Sequence, residues 1–476
     1  MKITITNLIR IENPTPSIFQ YCKDKLTFKN PDYEKKRRMG IWLGNTPKTI
    51  QMYDVYCDDI YVPIGCFNDI WALHPYKEDY TDVSNFKPAK IESSIQLREY
   101  QQPCIKAIKE HYTGLFILPA GTGKTVTALQ CAYSLKQKTL WLTHTQDLLN
   151  QAKSECENNM KCKTSTITKG KCDYSGDIVF ATIQTLVNVI DRGDIPQDTF
   201  GMVIGDEIQH CVVSAESIMQ FQKCMNYFAS RYKLGLTATL HTSNGLHKTI
   251  PKLIGDVIYE LRKENDLFVG YYENEVVVKV PATMFQIPAQ INLIPTKYSI
   301  IGKDVFDVKN QTVNFSKLIT SISEDDERNA QILSLLSTLK GSTIIVSDRT
   351  KQLQLLAKHF GNNAFYVDGG TKKAEREKGL ELVREGRVKY LFATYKLICE
   401  GFNAPILENL VMATPVKDLR IVIQSIGRVQ RPYKNKKMAN VYDFVDDIGK
   451  LDKFLKERNK IYKKERYDVR EWRNVR

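Results

Sequence analysis

The stretch GLFILPAGTGKTVTALQCAYSL, residues 114–135, contains an apolar run, a glycine-rich turn and a helical pattern in direct succession. A buried strand that runs through such a turn into a helix is the local structure that a phosphate-binding loop requires. Glycines let backbone N–H groups converge on phosphate oxygens, and the helix N-terminus adds a positive field. The residues of the expected loop are Ala120, Gly121, Thr122 and Gly123.

Two side chains after this loop carry the chemistry of a nucleoside triphosphate site. Lys124 would reach the β- and γ-phosphates, and the hydroxyl of Thr125 suits Mg²⁺. The generic pattern G-x-x-x-x-G-K-[ST] fails at its first position, which is Leu118. The flanking strand and helix nevertheless favour ATP and Mg²⁺ as ligands over a simple glycine turn with a solvent-exposed lysine.

Apolar strands alternate with helical stretches on both sides of the loop and again later in the chain. The candidate strands are GLFILP, TLWLTH, DIVFAT, GMVIGDE and YKLGLTAT between about residues 95 and 262, and STIIVSD, NAFYVDG, KYLFATY, LENLVMAT and NVYDFV between about 325 and 447. Such alternation predicts parallel sheets covered by helices. We therefore expect an α/β protein in which one architecture occurs twice.

Changes of pattern divide the chain into five parts. The first has short β-type runs between Pro, Gly and Asn residues, and the third has a hairpin signal, LFVGYY and VVVKV around Glu273-Asn274-Glu275, before a polar, irregular segment. The predicted parts are a small α+β accessory domain (1–90), a first lobe (91–262), a linker with a hairpin (263–322), a second lobe (323–447) and a basic tail (448–476).

The composition restricts the class of protein. The 476 residues suffice for about three domains, and 42% hydrophobic with 26% charged residues argues against a disordered or collagen-like chain. The net charge of +14 favours a polyanionic partner. Because neither a membrane-spanning run nor a signal peptide is evident, a soluble cytoplasmic protein without membrane contact is expected.

Two basic clusters lie near the ends of the chain. Residues 35–38, KKRR, precede Gly40 and Trp42, and the tail from 450 to 476 has eleven Lys or Arg against five Asp or Glu. Charged runs are usually solvated surface. In the tail, however, the interleaved aromatic residues Tyr462, Tyr467 and Trp472 favour contact with nucleic acid.

A second site should supply a magnesium ligand and a group that positions the attacking water. The segment GMVIGDEIQH places Asp206 and Glu207 directly after an apolar strand. Asp206 would hold Mg²⁺, directly or through water, and Glu207 would polarise the water that attacks the γ-phosphate. An Asp-Glu pair alone is usually a surface feature, but its position after a buried strand favours a catalytic site.

The order of these motifs resembles that of superfamily 2 helicases and translocases over about residues 95–447. The segment LREYQ is similar to the one that reads adenine in this family, which implies ATP contacts for Arg98 and Gln101. DEIQH fits the DExxH form of motif II, in which His210 would link the ATP state to the motor. The resemblance implies two tandem RecA-like lobes with parallel sheets, beside the accessory domain and the tail.

Three further family motifs follow in the expected order. Thr237 and Thr239 lie in a segment that resembles motif III, which implies coupling of hydrolysis to movement. The segment QSIGRVQR matches QxxGRxxR of motif VI, which implies catalytic roles for Gln424, Arg428 and Arg431, with the two arginines facing the γ-phosphate. A guanidinium that arrives when two lobes close would couple closure to hydrolysis.

Motif V is represented by Ala393-Thr394 and the segment EGFNAP, which contains Gly401 as a candidate ATP contact. The aspartate that is usual in this motif is Asn403 here. The substitution weakens one expected nucleotide contact and leaves the motor assignment in place.

Nucleic acid should be held by loops at the strand ends of both lobes. Hydroxyl, amide and basic side chains there would bind phosphates without reading sequence, although a strand-end hydroxyl is equally a common helix cap. The candidates are Thr143, His144, Gln151, Thr182, Gln184, Ser347, Arg349 and Thr394. A strand-separating element could be formed by residues 267–280 or by the loop 433–437.

These features lead to the hypothesis of an ATP- and Mg²⁺-dependent DNA helicase or translocase. The finer resemblance is to phage branch-migration helicases of the UvsW kind, carried by DExxH, LREYQ and the small N-terminal domain with KKRRMGIWLGNTPKTIQMYDVY. It implies forked and four-way-junction DNA as substrates, residues 1–90 as a DNA-binding domain, and replication or recombination proteins as candidate partners. The alternatives are an RNA-directed or transcript-releasing helicase, a restriction-type motor subunit and a non-catalytic nucleic-acid clamp.

Overall fold

The computed structural model describes residues 1–119, 121–240, 244–307, 312–399 and 404–471. The chain divides into two compact units, Met1–Pro281 and Ala282–Arg476. Each unit contains a mainly parallel sheet with helices, which confirms the predicted α/β class. Within the described ranges, no helix is both long and apolar enough to cross a membrane. The division into five parts stays a prediction.

The first unit begins with a small α+β layer. Its elements are β1 (Lys2–Ile5), β2 (Leu8–Glu12), α1 (Pro16–Lys25), β3 (Thr27–Lys29), α2 (Pro31–Arg38), β4 (Thr49–Gln51), β5 (Asp54–Tyr56), β6 (Asp59–Pro63), α3 (Phe67–Leu73) and β7 (Tyr80–Asp82). Five strands form a sheet in the order β5-β6-β2-β1-β7, while β3 pairs only with β4.

A ten-stranded sheet dominates the rest of this unit. The elements are β8 (Glu92–Ser93), α4 (Gln102–His111), β9 (Thr113–Ile117), α5 (Lys124–Leu135), β10 (Thr139–Thr143), α6 (Gln146–Asn159), β11 (Met160–Lys161), β12 (Thr164–Thr168), β13 (Lys171–Cys172), β14 (Ile178–Thr182), α7 (Ile183–Arg192), β15 (Met202–Gly205), α8 (Ala215–Tyr227), β16 (Tyr232–Thr237), α9 (Thr249–Ile254), β17 (Val257–Glu264), β18 (Leu267–Tyr272) and β19 (Glu275–Pro281). The strand order is β13-β12-β14-β10-β15-β16-β9-β17-β18-β19.

The centre of this sheet follows from the apolar runs in the sequence. The strands from β12 to β17 in the spatial order are parallel, and β10, β15 and β16 are buried at every position. Strands covered by helices on both faces must be apolar along their whole length rather than in alternation. All five strands predicted for this block are confirmed.

The second unit repeats the architecture. Its elements are β20 (Ala289–Pro295), β21 (Phe306–Asp307), β22 (Thr312–Val313), α10 (Phe315–Ser323), α11 (Asp326–Thr338), β23 (Ser342–Ser347), α12 (Thr350–Phe360), β24 (Ala364–Val367), α13 (Lys373–Arg384), β25 (Tyr390–Thr394), α14 (Tyr395–Cys399), β26 (Leu407–Met412), α15 (Leu419–Val429), β27 (Ala439–Val445), α16 (Gly449–Lys464) and β28 (Asp468–Glu471). The sheet order β24-β25-β23-β26-β27-β20-β28 contains all five predicted strands.

Residues 263–322 divide between the two units. The predicted hairpin is confirmed: β18 and β19 are antiparallel, and their turn residues Glu273 and Asn274 have φ of 50° and 65°, as a two-residue hairpin turn requires. By contrast, residues 289–295 lie in the segment predicted to be irregular, yet they form β20 between β27 and β28. Polar residues at 290 and 292 interrupt its sequence AQINLIP, yet four of the seven residues are buried.

The N-terminal layer packs tightly on the larger sheet of the first unit. A Cβ atom on Gly65 would lie 2.4 Å from the carbonyl oxygen of Pro251, so only glycine fits there. The buried Lys233 of β16 donates to the carbonyl oxygens of Asn7 (3.0 Å) and Met225 (2.8 Å). The two layers therefore share one hydrophobic core.

Part of the basic tail packs into the second unit. The Tyr462 ring is fully buried in α16, and its hydroxyl donates to Asp443 (3.0 Å), which also binds the buried Arg458 (2.8 Å). The prediction that Tyr462 contacts nucleic acid is therefore wrong, because a tyrosine at helical spacing faces the core here. Tyr467 donates to Gln430 (3.2 Å), and Trp472 lies outside the described residues.

A second buried ion pair joins α11 to the residue after β27. Arg328 Nε lies 2.8 Å from Asp446 Oδ1, and both side chains are at most 1% exposed. Arg328 also donates to the carbonyl oxygen of Ala413 (2.5 Å), and Thr296 donates to Asp446 (2.6 Å). These bonds satisfy charges that would otherwise be costly to bury.

We expect Arg328→Met to destabilise the second unit by about 3–5 kcal/mol, because Asp446 would stay buried without its cation. Urea unfolding followed by circular dichroism would measure the loss, and hydrogen exchange would assign it to the second unit. Arg387→Met, which removes the exposed pair with Glu385, is the control and should cost less than about 0.5 kcal/mol. Equal losses in the two variants would contradict the expectation.

Candidate nucleotide-binding and coupling site

The predicted phosphate-binding loop lies between β9 and α5, as its sequence required. Gly121 and Gly123 have φ of 83° and 80°, in the left-handed region that glycine adopts without strain. A Cβ atom on Gly123 would lie 2.8 Å from Gln101 Nε2, so this position also lacks room for a side chain. The Thr122 hydroxyl donates to the carbonyl oxygen of Pro119 (2.7 Å) and closes the turn. Ala120 lies outside the described residues.

The LREYQ segment holds this loop from behind. Gln101 is buried, its Oε1 accepts from the backbone N–H of Arg98 (3.0 Å), and its Nε2 donates to the carbonyl oxygen of Thr122 (3.1 Å). The Tyr100 hydroxyl donates to the same oxygen (2.9 Å). The adenine contact of Arg98 and Gln101 stays a prediction, and the structure adds a positioning role for the Gln101 amide.

The two candidate catalytic carboxylates follow β15. The backbone N–H of Asp206 donates to Leu142 O (2.9 Å), which places the buried Asp206 at the end of the sheet. Glu207 has a left-handed backbone, with φ of 49°. Lys124, the first residue of α5, lies with Nζ 3.2 Å from Glu207 Oε1 and donates to Leu118 O (3.3 Å). The lysine and the glutamate of two distant motifs thus form an ion pair.

The contacts of Glu207 with Lys124 and Gln209 separate the pKa values of the two acids. Burial raises the pKa of Asp206 to about 7, with a further contribution from the Glu207 charge that Lys124 opposes. Burial also raises the pKa of Glu207, but Lys124 and the Gln209 amide outweigh it, and the net pKa is lowered. Glu207 is therefore ionised at neutral pH. This assignment suits a carboxylate that polarises water.

The donor set fits Mg²⁺. Carboxylate and hydroxyl oxygens are the ligands that this ion prefers, and it keeps several waters. A divalent cation beside Asp206 would favour its ionised form against the effect of burial. Thr125 supplies a half-buried hydroxyl in the first turn of α5. Asp206 and Thr125 are thus the residues that would hold Mg²⁺.

Gln209 connects the candidate catalytic base to motif III. Its Nε2 donates to Glu207 Oε2 (2.5 Å), and its Oε1 accepts from the Thr237 hydroxyl (2.6 Å). The Thr237 hydroxyl also lies 2.6 Å from the carbonyl oxygen of Thr239 and accepts from the N–H of that residue (3.1 Å). Sequence reasoning missed Gln209, because the DExxH pattern leaves its position unspecified.

The coupling histidine lies against a residue predicted to contact nucleic acid. The rings of His144 and His210 are stacked, with centroids 4.5 Å apart and planes at 20°. Burial, together with the nearby His210, lowers the pKa of His144 to about 4. His144 is therefore neutral at physiological pH. The stack joins the end of β10 to the motif II segment.

The other predicted track residues of the first unit fall into two groups. Thr143 and Thr182 have local bonds: the Thr143 hydroxyl donates to Thr145 O (3.0 Å), and Thr182 caps α7. Gln151 and Gln184 are exposed on α6 and α7. Their contacts with nucleic acid stay a prediction, and the exposed amides are the more accessible of the four.

Two residues of the second unit that are predicted to contact nucleic acid lie side by side. Ser347 and Thr394 are partners in the parallel register of β23 and β25, at the carboxyl ends of both strands. The buried Ser347 hydroxyl donates to Gln352 (2.7 Å) and accepts from the N–H of Arg349 (3.0 Å). The Arg349 side chain donates to Thr320 (3.0 Å). Ser347 thus orders the turn that presents Arg349.

The motif VI residues lie on and after α15. Gln424 and Arg428 are four residues apart and share a face of this helix. Arg431 lies two residues beyond its last residue, Val429. Burial and the neighbouring Arg428 lower the pKa of Arg431 to about 9, which leaves it charged at neutral pH. Adjacent partly buried cations favour an anionic ligand. Gly401 of motif V lies outside the described residues.

Two families match the chain. The family described as Type III restriction enzyme, res subunit, matches residues 94–242, and the family described as Helicase conserved C-terminal domain matches residues 327–433. Among solved structures, S. cerevisiae Dbp5 bound to RNA and ADP BeF3 shares the fold, with a TM-score of 0.54, 15% identity, and coverage of 86% of this chain and 93% of that chain.

Two of the curated relatives are named as a helicase and a translocase. A putative ATP-dependent RNA helicase of Acanthamoeba polyphaga mimivirus is 27% identical over 386 residues, 79% of this chain and 69% of the relative. The DNA 3'-5' translocase XPB2 of Sulfurisphaera tokodaii is 27% identical over 369 residues, 72% of this chain and 80% of the relative.

These matches define a protein with tandem RecA-like lobes. The chain is a superfamily 2 helicase, an ATP-dependent enzyme that acts on nucleic acid. The use of ATP follows from the family.

We expect Gln209→Ala to lower kcat for stimulated ATP hydrolysis about tenfold or more, with little change in KM for ATP. The reason is that Gln209 holds Glu207 in position, which affects kcat, and is not among the residues expected to bind the phosphates, which would affect KM. Steady-state kinetics would separate the two constants. The control is Gln220→Ala, a half-buried glutamine of α8 whose amide donates to Glu216 of the same helix. A raised KM with unchanged kcat would refute the positioning role.

The buried His144 should make the protein sensitive to acid. Its folded pKa of about 4 lies below the ordinary value of 6.5, so between these pH values the unfolded chain binds a proton that the folded chain does not. Unfolding free energy from this residue is thus fully present above pH 6.5 and is lost as the pH falls towards 4. Urea titrations at several pH values should show a shallower loss for His144→Phe than for the wild type. Identical pH profiles would contradict this.

Proposed function

We propose that the chain is an ATP-driven DNA motor that unwinds, anneals or branch-migrates forked and four-way-junction DNA. The main support for motor activity is a continuous series of contacts from Lys124 through Glu207 and Gln209 to Thr237. It joins the group that would bind phosphate to the group that would transmit movement.

The geometry suggests how the residues of the first unit would divide the work. With ATP present, the Lys124 ammonium would exchange Glu207 for the β- and γ-phosphate oxygens. Glu207, ionised and held by Gln209, would then orient water and accept its proton. Bound Mg²⁺ would neutralise charge on the phosphates.

The motif VI residues are assigned to the same reaction. On the resemblance of QSIGRVQR to motif VI, Arg428 and Arg431 would stabilise charge on the transferring phosphoryl group. Gln424 shares a face of α15 with Arg428 and would belong to the same set. Hydrolysis would then depend on residues of both lobes.

DNA as the track is supported by charge and by one relative. The net charge of +14 favours phosphate binding, and the archaeal relative is named a DNA translocase. Forks and junctions as substrates, with replication or recombination proteins as partners, rest on the resemblance of LREYQ, DExxH and the N-terminal segment to branch-migration helicases. Residues 1–90 would bind the junction.

Two alternative functions also have specific support. The mimivirus relative is named an RNA helicase, which favours an RNA-directed motor. The family matched by residues 94–242 has the name of a restriction subunit, which favours a motor that needs a partner. The choice of nucleic acid and the need for a partner distinguish these alternatives.

ATP hydrolysis should be stimulated most by four-way-junction or forked DNA and should fall at least about 100-fold in Lys124→Ala, which removes the phosphate-binding ammonium. Steady-state ATPase assays would compare junction, duplex, single-stranded DNA and single-stranded RNA at identical salt. Lys161→Ala, an exposed lysine in β11, is the matched control.

Each result has a distinct meaning. A preference for RNA would replace the DNA assignment, and absence of stimulation by every nucleic acid would point to the partner-dependent motor. Hydrolysis that persists in Lys124→Ala would overturn the proposed site.

A further inference from the structure

Residues 30–48 project from the N-terminal layer as a closed excursion, here called the basic aromatic protrusion. Its ends meet where the N–H of Asn30 donates to Lys48 O (3.1 Å), and β3 pairs with β4 directly beyond. The first half is α2, in which every residue is described and none is buried. Packing in a core therefore does not hold this segment.

Hydrogen bonds at the base hold it instead. The buried Asn30 side chain accepts from the N–H of Asp32 (2.9 Å) and donates to Pro47 O (2.7 Å), so it caps α2 and fixes the returning chain. Across the protrusion, Lys36 Nζ donates to the Thr46 hydroxyl (2.7 Å). The loop between these braces is thus presented on an ordered support.

This loop exposes large apolar side chains to solvent. Trp42 is 87% exposed, and Met39 is 61% exposed. Gly44 has φ of +52°, and a Cβ atom there would lie 3.2 Å from the Trp42 ring. Tryptophan is highly buried in most proteins. A ring that rests on a glycine with most of its surface in water is suited to stacking.

Three exposed cations precede this indole along the chain. Lys35, Arg37 and Arg38 are exposed at the end of α2, immediately before the loop. Single exposed apolar residues need no explanation, and charged runs are usually solvated. Proteins bind unpaired strands by stacking bases on aromatic side chains and by contacting phosphates with cations. The exposed indole and the three exposed cations of this short excursion supply the groups for both interactions.

We propose that the basic aromatic protrusion binds single-stranded nucleic acid, with Lys35, Arg37 and Arg38 at phosphates and Trp42 stacked on a base. The inference rests on the proposed function and names a surface for the unpaired strand that such a motor produces. Paired bases inside a duplex offer no free face, so the surface selects unpaired strands. Stacking is tolerant of base identity, so sequence is not read.

One contact ties this surface to the ATPase lobe. Asp32 Oδ2 accepts from the N–H of Ala215 (2.9 Å), the first residue of α8. This helix follows the segment Ile208–Val212, which comes directly after Glu207. The start of α2 is thus anchored to the helix that follows the segment with the candidate catalytic carboxylate.

The test measures binding of labelled 20-nucleotide strands by fluorescence anisotropy over a series of salt concentrations. Trp42→Ala should weaken binding about tenfold at every salt concentration, because stacking does not depend on counterions. Lys35→Gln with Arg37→Gln and Arg38→Gln should instead reduce the slope of log affinity against log salt by about 2, since each phosphate contact contributes about 0.7. Trp42→Phe should retain most of the affinity.

Two controls make the outcome specific. Ile301→Ala, which removes an equally exposed side chain (87%) from the second unit, should bind as the wild type does. A strand with abasic sites keeps its phosphates, so on this strand Trp42→Ala and the wild type should bind equally. DNA and RNA strands, tested in parallel, identify the source of the unpaired strand.

Unchanged binding by Trp42→Ala, or an equal loss on normal and abasic strands, would overturn the proposal. Unchanged binding would leave the exposed patch to a protein partner instead. ATPase stimulation measured on the same samples distinguishes failure of the protrusion proposal from failure of the proposed function. A stimulated enzyme with unaltered strand binding in Trp42→Ala refutes only the protrusion, whereas an enzyme that no nucleic acid stimulates refutes the proposed function.

Discussion

Asp206 and Glu207 are adjacent carboxylates that emerge from a strand buried at all four positions. Loss of hydration raises the pKa of both acids, and repulsion between them opposes ionisation of the second when no cation lies nearby. The Lys124 ammonium, 3.2 Å from Glu207, supplies that charge. Lys124 reaches this position because it is the first residue of α5. The helix begins after Gly123, which has φ of 80°, at the end of the loop that leaves β9. Strand β9 in turn pairs with β16. The position of the cation that this acid pair needs therefore depends on the order of the central strands.

The same strand ends collect the parts that would turn hydrolysis into movement. Because β9, β10, β15 and β16 are parallel, their carboxyl ends lie at one edge of the sheet. Two routes leave Glu207 at this edge. One runs through the amide of Gln209 to Thr237, and the other passes from the motif II segment through the stacked rings of His210 and His144. A change in the partner of Lys124 would act on Glu207 and hence on both routes.

The sequence was sufficient for features that depend on local pattern. The ten central strands, the phosphate-binding loop and the β18–β19 hairpin follow from apolar runs, glycines and turn residues within short windows. Features that depend on distant partners were missed or wrong. Gln209 matters only because Thr237 comes close in space, and Tyr462 looked like a surface aromatic because its partner Asp443 lies in another element. Residues 289–295 read as polar coil because their burial comes from strands far along the chain.

The shared core of the first unit decides how the N-terminal layer can act. Gly65 leaves no room between this layer and Pro251, and Lys233 spends its hydrogen bonds on carbonyl oxygens of both layers. Close-packed interiors transmit displacement instead of absorbing it. The N-terminal layer should therefore move together with Lys124 and Glu207 as one body. A strand held by the basic aromatic protrusion would then be fixed to the lobe that carries these ATP-site residues. The nucleic-acid contacts proposed for Arg349 and Thr394 of the second unit would have to supply movement along it.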